Sequence, residues 1–479
     1  MKKNIIIAAI AAASALLLSV SCQKENQPES QNGINGGANT FTATIEQSIT
    51  KTTITDYKVN WTATDKININ GKSYTAIPRT DATRADFSAD DGEATPDGNN
   101  KFKAICPSTL YATDHFALPA TQTYSAGAFN APMYAESETQ TLTFKNICAV
   151  LAIKVTSEDI ATLKSIKVKS DKKLNGTFTV ASTTAGYKAT IGTDGTEEVV
   201  LSSDAAINLT SEGTTFYVAI PEQEYSYLKI YLSEDGTLYK RAMITKKTVG
   251  AVSCNKIYSI DYQTNAVQIY ANGPYWSTMN IGATTPTGYG WYFSWGNTTG
   301  YVYDATNKWV KASDNTTKLG TDGSFSSANY NYTAVSGNGK TLTGDIPVGA
   351  EYDAAYANWG AAWKMPTGGS SGQFQTLNDN TDNAWTDDYK STGVKGITFT
   401  GKTGTPDYSD ITLFFPAAGR GAGKSLDAVG SVGSMGYYWS SSFKTGTKYP
   451  YSLQFKSDAV SPQNIGDRYT GYSVRPVSD

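Results

Sequence analysis

From Phe41 to Tyr262 the chain is written in short runs rich in Thr, Val, Ile, Tyr and Phe, cut by Gly, Asn, Asp and Pro. Residues 41–45, 59–61, 66–69, 142–144, 151–155, 165–168, 177–180, 216–220 and 228–232 are such runs. Several alternate apolar and polar residues at period two, which sends successive side chains to opposite faces of an extended strand. Long helical patterns are nearly absent. A stretch of about 220 residues exceeds one seven-strand sandwich. The expectation is therefore a tandem pair of β-sandwiches, the first over 41–155 and the second over 156–262.

Near residue 270 the composition changes. Of nine tryptophans only Trp61 lies before this point; residues 276, 291, 295, 309, 359, 363, 385 and 439 lie after it. Residues 263–273 read as a linker, and 274–479 as a separate aromatic, glycine-rich unit that folds on its own core. Short helices are expected at 353–359 and 374–377, among short strands and long loops, which makes this unit α+β.

The N-terminus has the layout of an export signal: Lys2 and Lys3, then an apolar stretch over 5–20, too short for a confident membrane span. Ser19-Val20-Ser21-Cys22 resembles a bacterial lipobox, with Ser19 in place of the usual Leu. That resemblance implies removal of residues 1–21 and acylation of Cys22; an ordinary signal with a chance cysteine is the other reading. Several acyl chains, at about 0.8 kcal/mol per buried methylene, anchor stably. Residues 22–40 are polar and glycine-rich and read as a flexible tether.

Composition excludes several classes of function. A net charge of −3 leaves no basic footprint for nucleic acid. His115 is the single histidine, which removes most histidine-based catalysis and multi-imidazole zinc sites. With Cys22 lipidated, Cys106, Cys148 and Cys254 allow at most one intramolecular disulfide, so no stapled scaffold is built. Cys106 and Cys148 sit in largely apolar stretches and read as small buried hydrophobes.

Two resemblances organise the rest. Phe41-Thr-Ala-Thr-Ile45, Lys51-Thr52, Val59-Asn-Trp61, Asp65-Lys-Ile67, Ile69-Asn-Gly71, Ile105-Cys-Pro107, Leu118-Pro119-Ala-Thr-Gln122, Pro132-Met133 and Phe144-Lys-Asn146 resemble, in order and spacing, the fimbrillin-type pilins of gut and oral Bacteroidetes. Membership would imply tandem transthyretin-like β-sandwiches, lipoprotein export to the outer membrane, and assembly into surface fimbriae by β-strand addition. In polymerising members an Arg-directed protease removes an early strand. Here no arginine lies between Cys22 and Arg79, and Lys51 is the one substitute. A tip, accessory or lipid-retaining subunit fits better than a shaft subunit.

The second resemblance is to the Fibrobacter succinogenes major paralogous domain, a lectin-like fold. Its carriers are Trp276-Ser-Thr-Met-Asn-Ile-Gly-Ala283, Gly288-Tyr-Gly290, Phe293-Ser-Trp-Gly296, Trp359-Gly-Ala-Ala-Trp-Lys-Met-Pro-Thr367, Leu413-Phe-Phe-Pro-Ala-Ala-Gly419, Gly436-Tyr-Tyr-Trp-Ser-Ser441 and Gly471-Tyr-Ser-Val-Arg-Pro-Val477. It implies a C-type-lectin-like α+β fold for 274–479 and only suggests ligand binding. The calcium-dependent sugar motifs of true C-type lectins are absent.

Candidate binding residues follow from local surroundings. Trp295, Trp359, Trp363 and Trp439 lie in the recurring segments and are expected in the core. Trp309 and Trp385 are flanked by polar residues, so they are candidates for stacking on a sugar ring, or else for partial burial under a loop. The acidic loop 378–383 with its neighbours carries Asp379, Asp382, Asp387 and Asp388, hard oxygens suited to calcium, though an exposed turn cluster looks the same. The run 418–425, Ala-Gly-Arg-Gly-Ala-Gly-Lys-Ser, fits a relaxed P-loop but lacks a helical pattern after it, so a glycine-rich loop is the better reading. The leading expectation is a lipid-anchored fimbrial adhesin at the outer membrane or cell surface, partnered by other fimbrial subunits and by glycans or host proteins. A structural pilus subunit is the alternative. A glycosidase working through paired carboxylates has no paired motif to support it, so no enzymatic role is expected.

Overall fold

In a computed structural model of the chain, the structure describes residues 40–46, 60–112, 115–126, 132–183, 186–254, 256–330, 342, 344–425 and 431–479. The expected signal peptide, Cys22, Lys51, Val59 and the tether up to residue 39 lie outside them, while Thr40, expected as the tether's last residue, already belongs to a strand. The fold is mainly β.

The first body contains β1 (Thr40–Ile45), β2 (Lys66–Ile69), β3 (Lys72–Pro78), β4 (Arg84–Ala89), β5 (Phe102–Cys106), β6 (Met133–Ser137) and β7 (Thr141–Asn146). Their pairing closes into a ring in the order β1-β7-β6-β5-β2-β3-β4. The period-two pattern explains β1, whose Phe41, Ala43 and Ile45 are buried while the threonines between them are half-buried. Asn70 and Gly71, at φ 45° and 88°, form the two-residue turn between β2 and β3, the turn whose twist matches the strands it joins. Inside the ring Phe41 meets Tyr74 and Phe102 edge-on at centroid distances of 5.2 and 4.9 Å. The expected strand at 59–61 is not formed at its described residues. Trp61 instead leaves the ladder, donates its N–H to Ala82 O at 2.7 Å, and plugs the core against Phe87 and Phe144.

The second body begins at residue 149, so the expected boundary after 155 falls too late. Its strands are β8 (Ala149–Val155), β9 (Thr162–Ser170), β10 (Glu198–Asn208), β11 (Thr214–Ile220), β12 (Leu228–Ser233), β13 (Arg241–Ile244) and β14 (Ile257–Asp261). One sheet runs β11-β8-β14, and the other carries β13-β12-β9-β10. Between them Leu151, Ile153, Ile166, Val168, Phe216, Val218, Ile230 and Leu232 form the core. A strap from within the first body's stretch of chain, Thr121–Thr123, adds in parallel to β10.

The expected linker is a strand. β15 (Ala266–Gln268) pairs with β13, β16 (Tyr275–Ser277) pairs with β15, and Val477–Ser478 pairs with β16. One eight-stranded sheet therefore runs from the second body into the third. Residues 263–273 cannot hinge, because Asn265 binds Ile244 through both its side-chain oxygen and nitrogen at 2.9 Å. From Asn39 the chain is one compact unit.

The third body holds α1 (Ala354–Trp359) and α2 (Gln373–Asn380), as expected, and two three-stranded sheets. Asp353 caps α1 by accepting from Ala355 and Tyr356 N–H, the usual way to satisfy a helix's first donors. The recurring sequence segments meet physically. Arg475, fully buried, gives its donors to Asn280 Oδ1, Ser277 O and Phe414 O at 2.8–3.0 Å. Trp295 Nε1 donates to Ser440 O and Trp439 Nε1 to Phe293 O, both at 2.8 Å, so two segments brace each other. As expected, Trp295, Trp359, Trp363 and Trp439 are core residues.

Candidate functional sites

The residues chosen from sequence do not form one site. Trp309 is fully buried. It sits in the strand Lys308–Lys311 with its ring against Phe325 at 4.9 Å and Tyr292 at 5.0 Å. Its polar neighbours predicted exposure; what buries it comes from elsewhere in the chain, the rings of Tyr292, Tyr303 and Phe325 closing over it beside an equally buried Val310. Trp385 is half-buried in the strand Thr381–Thr386. Its Nε1 donates to Asp387 Oδ1 at 3.1 Å, and its ring edge faces Phe455 at 6.5 Å. Of the two, only Trp385 keeps partial access to solvent.

The four aspartates are spread over helix, strand and turn rather than gathered on a loop. Asp379 lies on α2 and accepts from Gln375 at 2.7 Å, while Asp382 is exposed on the strand that follows. Asp387 pairs with Lys395 at 3.2 Å; its hydrogen bond from Trp385 and that lysine hold its carboxyl below the ordinary value. Asp388 accepts Gly393 N–H at 2.6 Å. Among the described residues no three His, Cys, Asp or Glu groups come together as metal ligands. The expected calcium cluster is thus taken apart by the end of α2 and the pleat of the next strand.

The glycine-rich run at 418–425 is a crossing point of chain segments. Gly419, Gly421 and Gly423 N–H groups donate to Met435, Gly471 and Phe325 carbonyls at 2.9, 2.7 and 2.8 Å. A side chain at Gly421 would meet Phe325 at 2.5 Å. These three glycine donors are spent inside the fold, not left to cradle phosphate; residues 426–430 lie outside the described ones.

Two features were not foreseen. The first is an open polar cleft of about 520 Å³ where the third body meets the second, lined by Glu158, Asp159, Glu234, Lys240, Arg241, Asp407 and Asp410 among others. Asp410 bridges Lys240 and Arg241, the latter at 3.0 Å. Burial pushes its carboxyl up, but the two cations outweigh that and hold it below the ordinary value. Asp159 accepts Thr264 N–H at 2.9 Å; burial raises its carboxyl despite that bond. The cleft offers carboxylates and hydroxyls for polar contacts, while its two cations already share an anion.

The second is the seat of β1. On one side β1 runs antiparallel to β4, from Thr40 opposite Ser88 to Thr44 opposite Arg84; on the other it runs parallel to β7, from Thr42 opposite Thr141 to Ile45 opposite Phe144. Glu46 pairs with Lys145 at 2.9 Å just past its end. The seat is therefore a slot with a ladder on each wall and an apolar floor. Arg79, the first arginine after Cys22, lies between β3 and β4 and grips Asp86 at 2.7 Å, while Thr42 of β1 donates to the same carboxylate at 3.1 Å. A cut after Arg79 would sever the ring between β3 and β4 rather than release β1.

No family model matches the chain, and no curated protein matches it significantly. Among solved structures it is similar to a candidate cell adhesion protein from Bacteroides uniformis, at 17% identity and a TM-score of 0.30, over 47% of this chain and 93% of that one. It is similar to another from Bacteroides ovatus, at 13% identity and a TM-score of 0.29, over 47% and 91% of the two chains. A third, from Bacteroides thetaiotaomicron, has 14% identity and a TM-score of 0.21, over 47% and 93%. Likeness at these TM-scores decides neither fold nor function. Among the described residues no helix is long and apolar enough to cross a membrane.

Proposed function

We propose that this chain is a surface-tethered fimbrial subunit of tip or accessory type, anchored at the outer membrane through Cys22 and joined to neighbouring subunits by β-strand addition. The observation that carries this reading is the two-walled slot filled by β1. An edge strand has one partner; β1 has two, so its absence would open a groove with unpaired backbone on both walls and apolar pockets where Phe41, Ala43 and Ile45 now sit. With β1 in place the groove is filled by the chain itself. Such a subunit donates a strand or caps a fibre, and does not extend it in both directions. The third body would be presented as a lectin-like module to glycans or host proteins, with no catalysis involved. The burial of Trp309 favours the second reading, a structural subunit whose third body only packs against its neighbours.

Intact mass and N-terminal sequencing of the cell-surface form test the slot. A form beginning at acylated Cys22 is expected, and one beginning near Thr52, which would lack β1, would overturn the capping role. A glycan array probed with the full chain, with and without EDTA, separates adhesin from structural subunit.

A further inference from the structure

We propose that Cys148 and Cys254 are a disulfide-forming pair, a covalent cross-link site across the head of β8 and β14. Neither sulfur is engaged in a disulfide here. β8 and β14 pair in parallel, with Val150 opposite Ile257 and Val150 N–H donating to Lys256 O at 3.0 Å. Cys148 precedes Val150 by two residues and Cys254 precedes Ile257 by three. The two cysteines thus lead into the same end of one ladder, offset by one residue. Strands of one ladder lie about 4.8 Å apart, so the two cysteines enter it side by side, on the scale of the about 4.4–6.8 Å between Cα atoms that disulfides bridge.

An offset of one residue would turn the side chains to opposite faces of a regular pleat. Cys254 is not in the pleat. It lies in a turn after Val252, its N–H held by Glu222 Oε2 at 2.8 Å, and its Sγ reaches Tyr187 O at 3.7 Å on the strand Gly186–Ile191. Cys148 is buried in the cluster that contains Ala189 of that same strand. Both side chains thus lie on the side of the ladder where that strand packs. Burial pushes both thiols up to about 12, and the neighbouring Cys254 adds to the rise at Cys148. Cys106 belongs to the core of the first body and competes for neither.

Both thiols are protonated at neutral pH in the folded state, and the thiolate is the reacting species. The bond therefore forms while the chain is folding, before Cys148 is enclosed. The oxidant is a second disulfide, either a protein disulfide in an export compartment or oxidised glutathione in the test tube. Two S–H bonds and the oxidant's S–S bond break, the Cys148–Cys254 bond forms, and the two protons and two electrons given up by the cysteines leave with the oxidant as a pair of thiols. The cross-link does not depend on the proposed fimbrial role.

The test refolds the full chain with a glutathione redox pair, blocks free thiols in denaturant with iodoacetamide, and digests with trypsin without reduction. Residues 146–154 and 248–256 are expected as one linked species that splits on reduction, with Cys106 alkylated. Both peptides recovered fully alkylated, or Cys254 linked to Cys106, would overturn the proposal. Cys254→Ser keeps the experiment decisive if Cys148 variants misfold. It should lower the melting midpoint against the parent in the oxidised preparation and leave it unchanged when both are reduced. An equal drop in both states would overturn the cross-link as the cause.

Discussion

Asp353 joins two elements through one carboxylate, accepting Ala355 and Tyr356 N–H at the head of α1 and Met365 N–H at 3.1–3.2 Å from beyond its end. Burial raises it to about 6, against the pull of those donors. Unfolded, it titrates at about 3.9. Between these values the folded chain holds a proton that the unfolded chain has lost. Its contribution is thus fully present below about pH 4 and lost as pH rises through about 6, an effect of about 2–3 kcal/mol. Asp353→Asn should flatten that part of the stability profile, read as urea midpoints at pH 4.5 and 7.5; an unchanged profile would count against the shift. Asp353→Ala, which strands buried donors as well, should cost about 2–4 kcal/mol. The short helix was readable from its own residues, though Asp353, expected inside it, is its cap. The burial of Trp309 was not, since its flanks Asn307, Lys308 and Lys311 are polar and the rings that cover it, Tyr292 and Phe325, lie 17 and 16 positions away. Arg475 lay in a recurring segment, yet its partners Asn280 and Phe414 are 195 and 61 positions away and leave no local trace.

At the scale of elements, local patterns were read well and pairings were not. β1, β2 and β12 follow from alternation, β8 from a short apolar run, α1 from capping and α2 from Phe374 and Leu377 one turn apart, all within their own residues. The strap Thr121–Thr123 does not, because what makes it a strand is β10, nearly eighty residues on. Its Gln122 reaches across to the other sheet of the second body, where its side chain donates to Ala219 O and accepts Ala219 N–H, both at 2.9 Å. Tyr124 follows it into the core against Phe216 at 5.2 Å. Gln122→Ala would leave both backbone groups of the buried Ala219 without partners, a cost of about 2–3 kcal/mol. Hydrogen exchange should show the Ala219 amide losing protection by about tenfold or more. Protection equal to the parent's would mean that water replaces the glutamine at no cost.

For the whole molecule, the shift in tryptophan content at residue 270 marked a change of composition and not a seam. Tyr231, Ala242 and Ile244 of the second body share a core with Trp295, Trp363 and Trp439, and Val267 and Ile269 share another with Trp276 and Phe415. Trp363 Nε1 donates to Thr245 O at 3.0 Å. A fragment of residues 274–479 would expose these faces and lose β15, one of the two partner strands of β16, so it should lack a cooperative melt followed by tryptophan fluorescence. A sharp transition in that fragment would restore the independent unit expected from composition. The sheet that crosses from second to third body also has a mechanical meaning. Tension applied at the third body enters β16 and passes sideways, strand by strand, into β13 and β12 without meeting a swivel. A pull that would straighten a hinged linker must here shear ladder hydrogen bonds and drag tryptophans out of a shared core at the same moment, so the two bodies bear load as one rigid girder.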